Sequence, residues 1–134
     1  MNKEFLKDHV KKLKEQKELQ SELNAIYITL KSPAITGLPL AHQSEPDKIG
    51  NIVAKIQEKE IKLLAKLDAI IAEEEEIEKV ISKLETTERI LMRYRYIQGL
   101  DWEKICVEMH YSWQHIHKIH KRILEKIKDE TKCD

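Results

Sequence analysis

The chain has 134 residues, 36% of them charged and 5% aromatic, with three Gly. That composition argues for long solvated helices and against a β-sandwich or a doubly wound sheet, and the length allows one ordinary core without requiring a single compact body. The formal net charge of zero hides a partition: residues 1–85 hold 14 Lys against 16 Asp and Glu, while residues 86–134 hold 10 Lys and Arg against 8 acids, with all four Arg and both Trp.

The first predicted helix runs from about Asn2 to Lys31, with its cleanest apolar stripe at Leu19, Leu23, Ile26 and Leu30. The step from Leu13 to Leu19 breaks a strict heptad. A loop over 32–46 follows, because all three Pro (Pro33, Pro39, Pro46) and Gly37 fall in it. It is long for a bundle connection. It reads either as an ordered lid using Ile35, Leu38 and Leu40 or as a mobile loop.

The second predicted helix runs from near Asp47 to about Leu84. From Ile56 its stripe steps by three and four through Leu63, Leu67, Ile70, Ile77, Ile81 and Leu84. That is a coiled-coil pattern. About 37 residues of helix span roughly 55 Å. Glu60 and Glu74 interrupt the stripe, where a polar residue weakens a seam or sets its register. The Glu73–Glu76 run reads as a solvated face.

Thr86-Thr87-Glu88 is expected to cap a third helix, from about Glu88 to Ile97. Gln98-Gly99-Leu100 turns the chain, with Gly99 as the permissive residue of a helix C-terminus. Asp101 is expected to cap a fourth helix, Trp102 to Met109, and Ser112 a fifth, Trp113 to about Lys128. Apolar residues at Ile105, Met109, Tyr111, Ile116 and Ile119, with small Cys106, allow two short helices to cross over a tight turn and share one core. His110 stands at the turn, where Gly is favoured, and His tolerates a positive φ better than most side chains.

Residues 86–127 thus read as a helix-turn-helix for DNA. The expected phosphate contacts are Arg93, Arg95, Ser112, Lys121 and Arg122. The expected base contacts are Trp113, Gln114, His115 and Lys118. Trp113 also reads as an anchor for the module. The bland reading of the segment is a helical end-piece of the coiled coil.

The four His at 110, 115, 117 and 120 raise the question of a metal, but the zinc spacings are absent. They read as groove-facing or interfacial, with several titrating near neutral pH so that DNA affinity rises as pH falls. Cys106 reads as a buried small residue, not a nucleophile. No phosphate-cradling Gly loop or Ser/His/Asp arrangement is visible. The chain is therefore read as a non-enzyme, with no cofactor and no metal implied. Cys106 and Cys133 make no disulfide framework, and no apolar run approaches the length of a membrane span. A soluble protein of a reducing cytoplasm is expected.

The stretch Arg95-Tyr96-Ile97-Gln98-Gly99-Leu100, then Ile105-Cys106, Ser112 and Arg122-Ile123-Leu124-Glu125-Lys126-Ile127, resembles DNA-binding region 4 of bacterial sigma factors. Cys106 stands where that family has Ala, His110 where it has Gly, and Ile123 where it has a second Ala. The whole chain is similar to phage late-gene transcriptional regulators of the RinA and ArpU type and to related prophage proteins of Gram-positive bacteria. The likeness includes Thr36-Gly37-Leu38-Pro39, the long charged helix and a His near the end of the module, here His120. Ala41-His42-Gln43-Ser44-Glu45 replaces the Gly-rich linker of that family. The resemblance implies sequence-specific DNA binding upstream of late phage genes, in a bacterial host cell, and contact with RNA polymerase.

The expected architecture is all-α. Residues 1–85 form a helical hairpin or coiled coil that oligomerises, and residues 86–134 form the region-4-like helix-turn-helix domain. A homodimer is expected through 48–84, since Leu63, Leu67, Ile70, Ile77 and Leu84 would leave a lone helix with a long apolar strip. The partners expected are double-stranded DNA, a second copy of the chain and RNA polymerase, with no membrane. Two other functions fit the same elements. One is a small-terminase-like component of phage DNA packaging. The other is a coiled-coil adaptor that binds protein.

Overall fold

The structure, a computed structural model, describes residues 1–31 and 46–132. The expected loop, up to residue 45, and Cys133 lie outside the described residues. Among the described residues there are five α-helices and no strand: α1 (Lys3–Lys31), α2 (Pro46–Ile81), α3 (Thr86–Met92), α4 (Trp102–Met109) and α5 (Trp113–Lys132). Between α3 and α4 lies a π-helical segment, Arg93–Ile97, closed by a bond from the Gln98 N–H to the Arg93 carbonyl at 2.9 Å. α2 begins at Pro46, where a fixed φ and a missing N–H suit a helix's first turn. No helix of the described residues is long and apolar enough to cross a membrane.

The chain divides into two compact units. One comprises residues 15–68. Its apolar centre is Leu23, Ile56 and Leu63, flanked by Leu19, Ile26 and Leu67. Lys59 pairs with Glu22, and Lys66 with Glu15. Residue numbers fall on α2 as they rise on α1, so the two helices run antiparallel here. The polar interruption at Glu60 has its partner in the same unit: the Tyr27 hydroxyl donates to the Glu60 carboxylate. That bond, more than the slight desolvation, raises the phenol above its ordinary pKa.

The other unit comprises residues 1–14 and 69–134. Leu6 and Val10 of α1, Ile77 and Ile81 of α2, and Leu91 and Met92 of α3 share one buried core with Ile105 of α4 and Ile116, Ile119 and Ile123 of α5. The steps of three and four among the α5 residues put them on one helix face. Residue 85 is no break in this packing: 69–84 and 86–127 bury their apolar faces against each other. α2 ends at Ile81, three residues before the expected Leu84. Lys83 and Leu84 turn away through i to i−3 bonds to the carbonyls of Val80 and Ile81.

The strip on which a dimer through 48–84 was expected is covered within one chain. Leu63 and Leu84 are each 8% exposed, Ile70 4% and Ile77 0%. The antiparallel run of α1 supplies the cover in the first unit, and Leu6 and Val10 of α1 with the C-terminal helices supply it around Ile77 and Leu84 in the second. The surface that α2 leaves open in the first unit is another one, carrying Val53, Ile61 and Leu64 at 44–68% exposure.

Ile70→Ala is expected to cost about 2–5 kcal/mol, as for a well-packed aliphatic site. Because the seam closes within the chain, the loss in urea midpoint is expected to be the same at every protein concentration. A loss that grows on dilution would place the seam between chains.

Candidate nucleic-acid interface

Five of the residues expected to touch DNA, Ser112, Trp113, Gln114, His115 and Lys118, lie where the turn after α4 leads into α5. α4 ends in a Schellman arrangement. His110 takes the left-handed conformation (φ 58°, ψ 38°). The Tyr111 N–H bonds the Cys106 carbonyl at 3.2 Å, and the His110 N–H bonds that of Val107 at 3.4 Å. The positive φ read from the sequence at His110 is thus present, as it is at Gly99 (φ 70°). Three residues, 110–112, separate the two helices. Ser112 caps α5: its Oγ accepts the His115 N–H at 3.2 Å. Asp101 stands at the N-cap of α4 but makes no side-chain capping bond. α3 starts from Glu85, not from the Thr pair, and the Glu85 N–H donates to Glu88 Oε1 at 3.2 Å.

Of the five apolar positions expected between the helices, Ile105, Ile116 and Ile119 are buried and Met109 packs beside them. Tyr111 is not in that core. It is 37% exposed and meets the His115 ring edge-on at 4.5 Å. Cys106 is half-buried.

The expected base contacts Trp113, Gln114, His115 and Lys118 are all exposed, as are Ser112 and Lys121 among the expected phosphate contacts. The expected phosphate contacts divide. Among the described residues Lys121 has no ion-pair partner. Arg93 bonds Glu78 at 2.7 Å, with both side chains about half-exposed (50% and 42%). Such a pair contributes at most about 1 kcal/mol and yields readily to a phosphate. Arg95 is turned inward: Nη1 donates to the Leu100 carbonyl at 3.0 Å and the guanidinium lies 4.6 Å from the Trp102 ring centroid. Arg122 donates through Nε to Glu88 at 3.0 Å.

That Glu88 is a residue the sequence reading passed over as part of a cap. Its side chain is fully buried, and Lys126 Nζ lies 2.8 Å from its other oxygen. Burial pushes its carboxyl up, but the bonds from Lys126, the Glu85 N–H and Arg122 outweigh burial and hold it below the usual carboxylate range. Arg122 and Lys126 are four apart on α5, so one helix face delivers both cations.

His9 was also passed over. It is fully buried, with Nε2 2.7 Å from the Tyr96 carbonyl and Nδ1 2.9 Å from the Glu73 carboxylate. Lys12 pairs with the same carboxylate. Glu73, read as solvated, is only 14% exposed. Burial raises its carboxyl, but Lys12 and His9 bring it below the ordinary range.

The other His pack on aromatic rings. His117 lies between Trp102 (4.8 Å) and Trp113 (4.4 Å). His120 Nε2 is 2.6 Å from the Tyr96 hydroxyl, and its ring meets Trp102 at 4.7 Å. Burial, then the positive charge of Arg95, His117 and Lys3, pushes His120 down to about 4. Contrary to the expectation of titration near neutrality, this His stays neutral there and accepts from Tyr96, whose phenol burial pushes up to about 12. Among the described residues no three His, Cys, Asp or Glu side chains come together as a metal site.

Comparison with known protein families, with curated proteins and with solved structures finds no match to this chain.

Two pH dependences of stability follow. The unfolded His120 gains its proton near 6.5 and the folded one only near 4, so the unfolded state binds more protons in between. The wild type is therefore expected to lose stability as pH falls through that window, and His120→Gln to make the urea-midpoint slope shallower. A slope unchanged by the substitution would assign it to another group. Glu88 has a lowered folded pKa, so its contribution is present above the ordinary carboxylate range and is lost as pH falls through the folded value. Glu88→Gln is expected to cost about 1–3 kcal/mol at neutral pH, and the gap from wild type to narrow in acid. An equal gap at pH 7 and pH 3 would count against a charged Glu88 as the anchor.

Proposed function

We propose that this protein binds duplex DNA in a sequence-specific manner as a regulator of transcription, with α4, the turn at 110–112 and α5 acting as a helix-turn-helix. The observation that carries the reading is the division of α5. Ile116, Ile119 and Ile123 are at most 3% exposed. Trp113, Gln114, His115 and Lys118 stand on the solvent side of the same helix, directly after its capped N-terminus. A helix held by one face, with a polar first turn outward, suits the major groove.

In this reading Gln114 pairs with adenine through its amide, and Lys118 and His115 reach neighbouring base edges. Lys121 meets phosphate, joined by Arg93 once it exchanges Glu78. Arg95 and Arg122 serve mainly to hold the fold. The resemblance of residues 95–127 to sigma region 4, and of the longer chain to phage late-gene regulators, extends the proposal to activation of late phage genes and contact with RNA polymerase. Self-association is proposed through the exposed Val53, Ile61 and Leu64 face of α2, since the seam residues are already covered.

The test separates readout from attachment. Gln114→Ala is expected to relax preference at one or two base pairs, losing about 1–3 kcal/mol of discrimination, with the salt dependence nearly unchanged. Lys121→Ala is expected to weaken all duplexes alike and reduce the salt slope by about 1. Arg122→Ala is expected to lower the urea midpoint as well as DNA affinity. Matched and mismatched duplexes titrated at several salt concentrations provide the measurement. Wild-type protein that binds no duplex after selection on phage DNA would sink the proposal. If Lys121→Ala changed preference and Gln114→Ala only the salt slope, the helix would lie the other way in the groove.

A further inference from the structure

A cavity of about 290 Å³ opens in the unit formed by residues 1–14 and 69–134. Its charged lining has one sign. Lys3 and Lys7 come from the first turns of α1 and Arg95 from the π-helical segment, and no carboxylate lines it. Val10, Tyr96 and Trp102 give it an apolar wall, and His117 and His120 of α5 complete it. The volume lies near the small end of ligand sites, roughly 300–1,000 Å³, which suits a ligand with a single ring.

Two lining residues carry buried nitrogens with no hydrogen-bond partner, Arg95 Nε and His117 Nε2. Buried polar atoms are nearly always partnered, and an exception asks for a missing acceptor. The lining also holds a positive potential: after burial, Arg95, His117 and Lys3 act against a proton on His120. An anion in the cavity would meet that positive potential.

We infer that this cavity binds a small organic oxyanion, whose phosphate or carboxylate oxygens accept from Arg95 and His117 while a flat apolar body lies beside Trp102 and Tyr96. Lys3 and Lys7, both exposed, attract the anion at the rim. The site does not depend on the DNA reading, since it uses none of the exposed residues of the first turn of α5.

Trp102 is its natural reporter. Trp113→Phe leaves Trp102 as the only tryptophan of the chain. The full-length Trp113→Phe protein is titrated at fixed ionic strength with phenyl phosphate, benzoate, inorganic phosphate and phenol, following Trp102 fluorescence. A saturable change is expected with phenyl phosphate or benzoate, and the stronger of the two names the oxyanion. Inorganic phosphate is expected to bind more weakly, and phenol not to saturate. Adding Lys3→Gln and Lys7→Gln, two exposed positions that the fold does not need, is expected to weaken binding about tenfold, the scale of two exposed charge contacts. The proposal is overturned if none of the three anions gives a saturable change, or if the double substitution leaves the affinity unchanged. It is also overturned if inorganic phosphate binds as tightly as the ring-bearing anions.

Discussion

A carboxylate with no solvent access governs the C-terminal part of this protein. Glu88 sits at the start of α3 with a fully buried side chain, and the groups that neutralise it are Arg122 and Lys126 of α5. An unpaired charge in such a place is costly enough that the helices must bring the cations to it. That requirement sets the rotation of α5 about its axis. With Arg122 and Lys126 turned towards Glu88, and with Ile116, Ile119 and Ile123 turned into the core, the remaining face is the one with Gln114, Lys118 and Lys121. The surface proposed for DNA is thus what the buried ion pairs and the apolar stripe leave over.

The same logic operates at the other end of the unit. His9 is buried between the Glu73 carboxylate and the Tyr96 carbonyl, and so joins α1, α2 and the π-helical segment at one ring. Tyr96 in turn reaches His120 through its hydroxyl. Side chains of α1, α2 and α5 and the backbone at Tyr96 meet in consecutive hydrogen bonds, where apolar packing alone would leave their register freer. The extra turn geometry of the π-helical segment lies at this meeting point, with Tyr96 buried and Arg95 against Trp102.

The cation inventory follows from these bonds. Four Arg concentrated in the last third of a chain invite a phosphate-binding reading, yet two of the three assigned to phosphate, Arg95 and Arg122, are engaged in holding helices together. For an outside anion we propose Lys121 of α5 with Arg93, and separately the cavity lined by Lys3, Lys7 and Arg95. The first suits an extended polyanion. The second, with an aromatic wall, suits a compact one.

The sequence by itself determined the helices and the turns between them. Periodicity located α1, α2, α4 and α5 to within a few residues, because which face of a helix is apolar is written in steps of three and four. It also determined the positive φ of His110 and Gly99 and the Ser112 cap, because these depend on neighbours along the chain. Only the tertiary structure decided what covers each stripe. The α2 seam reads equally well as a contact between chains or within one, and α1 with the C-terminal helices closes it within the chain. Only the tertiary structure, likewise, decided which charges are spent internally. Glu88 with Arg122, and His9 with Glu73, are 34 and 64 residues apart. Nothing local marks a carboxylate for burial when its cations arrive from another helix, so the division of the arginines between fold and surface lies in the packing alone.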